Sequence, residues 1–99
     1  MLYKIDWQDT ATEDLKQIRA YLEQFSVETA NRILSQLVDQ ANSLENFPAR
    51  CRLINKSLNL RRLVVADYSV FYRIMEDKRL VQLHHIWHQS RDIATLDVQ

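Results

Sequence analysis

Glycine is absent from all 99 residues. Without it no glycine-rich loop can bring backbone amides around a phosphate, so nucleotide sites of the P-loop or dinucleotide type are excluded. The one cysteine, Cys51, cannot close an internal disulfide, and a lone thiol suits a reducing compartment. No run approaches the roughly 18 apolar residues of a membrane span. Met1–Trp7 is too short for a signal peptide and is followed at once by charge. The expected location is the cytoplasm, with no membrane partner. Excess charge is lacking too: 13 Lys and Arg balance 13 Asp and Glu. That leaves little general attraction for a polyphosphate.

What is present is enough apolar material, 46% of the residues, for one small core. The length fits a single domain, 1–99. The balanced charge is unevenly placed. Residues 1–49 hold four Lys/Arg and eight Asp/Glu, whereas residues 50–99 hold nine and five. Arg50, Arg52, Lys56, Arg61 and Arg62 fall together with no acid among them. Such a patch suits nucleic acid or an acidic protein partner, or else a solvated strand edge.

Leu2–Trp7 is rich in β formers and reads as a first strand. Thr10 and Glu13 have the spacing of a capping box. Ala11, Leu15, Ile18, Leu22 and Phe25 then make one apolar helical stripe. Ser26 can cap a second helix, striped by Val27, Ala30, Leu34, Leu37, Ala41 and Leu44. So short a break predicts an antiparallel helical hairpin. Asn46-Phe47-Pro48 ends it, and 49–59 reads as irregular. Three short apolar runs follow, Leu63–Ala66, Val70–Ile74 and Leu80–Trp87, separated by polar turns. They predict an antiparallel meander. Alternation slips by one residue at His84-His85, as a β-bulge would make it; on a regular strand these two histidines point to opposite faces. The tail 92–99 is short, and partial mobility is expected of it. The fold class is α+β: an N-terminal strand and a two-helix antiparallel hairpin packed on a small antiparallel sheet.

The three histidines and Cys51 lack metal-ligand spacing, and neither a metal nor a cofactor is expected. Arg61, Arg62 and Arg73 lie on neighbouring strands, where converging arginines suit phosphate or carboxylate. Which of them share a face depends on register. Tyr68 sits at a turn exit, where its hydroxyl can stay in water. His88 and Arg91 end the last run. A histidine there can act as general acid or base, and an arginine can balance phosphorane-like charge. Equally, His88 can close the sheet edge and Arg91 can pair with Asp92 or a helix acid.

The ordered set of Phe47-Pro48, Leu60-Arg61-Arg62-Leu63, Tyr68-Ser69-Val70-Phe71-Tyr72-Arg73-Ile74, Val81, Leu83 and Ile86-Trp87-His88-Gln89-Ser90-Arg91, after two helices, resembles the RelE/ParE superfamily of type II toxins. The spacing of Asp14-Leu15, Ile18 and Tyr21 is similar to that family as well, and the resemblance spans residues 3–92. It implies a bacterial toxin of a toxin–antitoxin or plasmid-stabilisation module, wrapped and neutralised by a cognate antitoxin in a hetero-oligomer. RelE-like members cut mRNA in the ribosome; ParE-like members poison DNA gyrase. RelE-like nucleases carry an arginine just after the strand-starting tyrosine, where this chain has Ser69. Arg62 matches one basic position of the preceding strand, while Leu60 occupies the other. Arg91 matches the late arginine, His88 matches a histidine found in both branches, and no tyrosine follows Tyr72. The resemblance therefore implies a ParE-like toxin that binds a protein target such as gyrase, with Arg61, Arg62, Tyr68, Arg73, His88 and Arg91 as binding candidates. The alternative is a ribosome-dependent mRNA endoribonuclease, with His88 as acid/base and Arg62, Arg73 and Arg91 holding phosphate. A further alternative is an inactive module that only binds antitoxin.

Overall fold

β-Branched and aromatic residues crowd into Leu60–Arg91, and they form the centre of one sheet. A computed structural model describes residues 2–91; the tail 92–99 lies outside them. In chain order the elements are β1 (Lys4–Trp7), α1 (Asp9–Glu23), α2 (Val27–Asn42), β2 (Arg52–Asn55), β3 (Leu60–Val65), β4 (Tyr68–Met75) and β5 (Leu80–His88). The sheet order is β1-β5-β4-β3-β2.

β3, β4 and β5 form the expected antiparallel meander. The sheet as a whole is mixed, because β1 pairs parallel to β5, from Lys4 opposite Leu80 to Trp7 opposite Leu83. Alternation within a strand carries no information on the direction of a distant partner, so the wholly antiparallel expectation is corrected. The segment read as irregular contains β2, paired antiparallel to β3. Its flanking Arg52 and Asn55 are exposed, which breaks any visible alternation.

The hairpin covers one face. Ala11, Leu37, Ala41 and Leu44 are buried against Val70, Tyr72, Ile74, Val81, Leu83 and Ile86. Phe25 and Val27, placed in the helical stripes, are exposed: they flank the turn, since α1 ends at Glu23 and Val27 opens α2. The Ser26 hydroxyl caps α2 by accepting the Thr29 N–H at 3.1 Å. The capping box at Thr10 does not form. α1 starts two residues earlier, after Gln8, and the Thr10 hydroxyl donates to the His84 carbonyl instead.

That bond belongs to a larger device. β1 accompanies β5 only as far as Leu83, which would leave the last residues of β5 with an open edge. The Gln8 N–H reaches the Leu83 carbonyl at 3.1 Å, and Thr10 takes the next carbonyl. The Asp14 carboxylate then accepts the Ile86 N–H at 3.0 Å and lies 2.9 Å from His85 Nδ1. Side chains of α1 thus serve backbone groups that a neighbouring strand would otherwise satisfy.

The absence of glycine leaves its mark at the turns. Phe47, Asn59, Ala66 and Arg79 hold positive φ of 53°, 54°, 53° and 50°. Asparagine tolerates this region, but a Cβ there costs roughly 1 kcal/mol in the others. Around Phe47 the chain is clamped: the Arg50 guanidinium donates to the Ser43 and Asn46 carbonyls, and the Tyr72 hydroxyl donates to the Pro48 carbonyl at 2.6 Å. Ala66 opens the two-residue loop between β3 and β4, where such hairpins demand a left-handed residue.

The bulge falls where alternation slips. Tyr72 pairs with Leu83 and Phe71 with His85, so His84 is the extra residue. The two histidines therefore do not alternate across a regular strand. His84 is buried, and its Nε2 has no hydrogen-bond partner among the described residues. Burial, then the charges of Arg73 and His85, push its pKa below the ordinary 6.5, against an opposing pull from Asp6.

Three outcomes follow from these contacts. Asp14→Ala should lower the free energy of unfolding in urea by about 1–3 kcal/mol, and Asp14→Asn, which keeps an acceptor for Ile86, by less. Ala66→Gly should raise stability by up to about 1 kcal/mol, strain relief exceeding the added freedom of the unfolded chain. For His84 the unfolded chain binds the proton more readily than the folded one. Its contribution is whole above pH 6.5 and is lost as pH falls below that value. Urea midpoints near about pH 8 and about pH 5.5 should therefore differ less in His84→Gln than in the parent.

Candidate functional site

Directly opposed residues of an antiparallel pair share a face, and faces alternate along each strand. Leu60 stands opposite Arg73, Arg61 opposite Tyr72 and Arg62 opposite Phe71. Tyr72 lies in the core under the helices. Arg61 is therefore on the helix face, while Arg62 and Arg73 share the face turned away from it. Arg52, opposite Arg62, joins them.

Each arginine has a distinct setting. Arg61 donates to the Ala49 and Cys51 carbonyls at 3.1 and 2.7 Å, tying down the segment before β2. Arg62 donates from Nε to the Ser69 hydroxyl at 2.7 Å, and Ser69 is only 2% exposed. Beside Arg62 and Arg73 lies a second apolar cluster of Leu60, Phe71 and Trp87, flanked by Ile54 and Leu58. The Phe71 and Trp87 rings meet edge to face at 5.9 Å. The Arg91 guanidinium stacks 3.8 Å from the centre of the Trp87 ring. Of the partners expected for Arg91, Asp92 lies outside the described residues, and no ion pair with a helix acid forms among them.

Tyr68 and His88 form a different group. They are opposed across β4 and β5, with perpendicular rings 5.4 Å apart. The Tyr68 ring is packed, the residue being 7% exposed, and it lines the open cavity at this end of the sheet. Burial, with Asp67 and then Tyr21 adding to it, pushes its phenol pKa up. The exposed His88 has its Nδ1 2.8 Å from the Ser90 hydroxyl and accepts the Ser90 backbone N–H at 3.1 Å. A backbone N–H only donates, so Nδ1 is an acceptor here and the neutral ring carries its proton on Nε2. This end of the sheet opens into a cavity of about 770 Å³ between the hairpin, the β3–β4 turn and the end of β5. Asp14, Tyr21, Arg32, Tyr68, His88 and Arg91 are among its lining residues.

The six candidates thus divide. Tyr68 and His88 meet at the cavity, Arg62 and Arg73 lie on the outer face, Arg91 lines the cavity while stacking on Trp87 of the outer face, and Arg61 is apart from both. Arg52, Arg32 and Asp14 were not among the candidates. Arg52 was visible in the basic cluster, but nothing in the sequence marked Arg32 as a neighbour of His88. Among the described residues no group of three or more His, Cys, Asp or Glu can hold a metal ion. No helix among them is long and apolar enough to cross a membrane.

Comparison with known proteins agrees with this architecture. Toxin RelE2 of Caulobacter vibrioides is 34% identical over 88 residues, covering 89% of this chain and 97% of that protein. Putative toxin Y4kP of Sinorhizobium fredii is 30% identical over 88 residues, covering 87% and 91%. Among solved structures, a chain of the chromosomal ParDE system from P. aeruginosa superposes with a TM-score of 0.74 at 19% identity, over 88% of this chain and 96% of that one. A chain of the RelBE2 toxin–antitoxin complex from Mycobacterium tuberculosis gives 0.72 at 21% identity, over 92% and 95%. At such identities the structures establish the shared fold. Residues 5–93 match the family model described as the ParE toxin of type II toxin–antitoxin systems, parDE. The chain therefore belongs to the ParE toxin family, a type II toxin of the RelE/ParE superfamily.

Proposed function

We propose that this toxin is ParE-like in action: it arrests growth by binding a protein target, with DNA gyrase the expected one, and it does not cut RNA. The observation that carries this reading is the division of the candidates between two faces. His88 opposes Tyr68 at the cavity with only Arg91 of the three phosphate candidates, while Arg62 and Arg73 belong to the other face. Cleavage through a 2′-hydroxyl needs a base and a phosphate clamp that converge on one bond. The base is also poorly presented, because Ser90 occupies His88 Nδ1. Ser69 offers no charge, and its hydroxyl is engaged by Arg62. The matching family model is that of the ParE toxins.

A cognate antitoxin neutralises the toxin. Support comes from structural neighbours that are themselves toxin–antitoxin complexes. Tyr21, Phe25 and Val27, more than half exposed at the hairpin turn, give a partner segment an apolar seat beside the cavity. The ribosome-dependent nuclease remains the second reading, favoured by the relative named Toxin RelE2.

Inducing the chain without antitoxin separates the readings. Gyrase-dependent DNA breaks and an SOS response with intact mRNA are expected. Codon-phased mRNA cuts would overturn the proposal in favour of the nuclease. Unimpaired growth would overturn it in favour of an inactive antitoxin-binding module.

A further inference from the structure

We infer that the sheet face turned away from the helices is the surface that recognises the target, and that it takes an acidic, extended segment of a protein. This rests on the protein-target reading above. Arg52 and Arg62 stand directly opposite one another on neighbouring strands. Like charges so placed are destabilising unless something negative answers them. Arg73 lies one strand further across, and Arg91 sits over Trp87 of the same face. Among the described residues neither Arg52 nor Arg62 makes an ion pair. The one acid that the register puts on this face, Asp6, is on β1 at the far side, where Gln8 donates to it at 2.7 Å.

The Ser69 bond sharpens the assignment. It uses Arg62 Nε, which leaves the two Nη groups as a fork for a carboxylate. Ser69 is thus a positioning residue, aiming a guanidinium from beneath the surface. A nucleic-acid strand fits the face less well. Single strands are held largely by stacking bases on aromatic rings, yet Phe71 is 1% and Trp87 5% exposed. The exposed side chain beside them is instead Val64, opposite Ser69 and 54% accessible. An apolar contact flanked by arginines suits a polypeptide with alternating acidic and apolar side chains.

The test uses the purified full chain, a short polyglutamate peptide, a single-stranded oligonucleotide of matched charge, and purified gyrase in a supercoiling assay. The peptide should bind, and the Arg52→Ser/Arg62→Ser double variant should bind it about tenfold or more weakly at an unchanged melting temperature. Ser69→Ala should weaken binding several-fold and Ser69→Thr should restore it, a rescue that a purely structural role would not produce. Inhibition of gyrase should fall in parallel. If the double variant does not fold, Arg52→Glu alone, at an exposed edge position, carries the same expectation. Arginine-dependent peptide binding without any inhibition of gyrase by the parent would support the face and overturn gyrase as the target. Undiminished inhibition by the folded double variant, or an oligonucleotide that displaces the peptide, would overturn the face assignment.

Discussion

The end of β5 depends on a helix for its edge. Its parallel neighbour β1 stops at Leu83, and beyond that point Thr10 and Asp14 of α1 satisfy the His84 carbonyl and the Ile86 amide. A backbone group buried without a partner is costly, so these contacts fix how the hairpin sits on the sheet. They also fix the register around the bulge at His84, and with it the face each later side chain of β5 takes. Trp87 and the candidates His88 and Arg91 inherit their placement from this junction.

From that placement the functional division follows. The helix face ends in a cavity holding Tyr68 and His88. The outer face carries Arg52, Arg62 and Arg73 beside a sealed apolar cluster. The unequal charge of the two halves of the chain is thereby given a geometry: the acidic excess lies in β1 and the hairpin, and the basic excess lies in and around the rest of the sheet. A surface built this way is suited to docking. The register puts Arg62 and Arg73 on the face opposite to His88.

Much of this was legible in the residues. Apolar stripes at spacings of three and four gave both helices, short β-rich runs gave β3 to β5, and a one-residue slip located the bulge. β2 was hidden because Arg52 and Asn55 are exposed on a short edge strand. The parallel direction of β1 was hidden because its partner lies some 75 residues away. Thr10 misled because a hydroxyl near a helix start can cap it or reach across to another element, and only the tertiary contact decides. Which arginines share a face required the register itself. Ser69 stood out only as a departure from a family pattern; its role in holding Arg62 is a matter of distance and burial.

Recognition by the outer face, independent of the histidine at the cavity, is the central claim. It is tested most directly by growth arrest in cells expressing His88→Ala without antitoxin. The account predicts arrest equal to that of the parent, at an unchanged melting temperature. Abolished arrest in a variant that still folds would contradict it and return His88 to the centre of the activity.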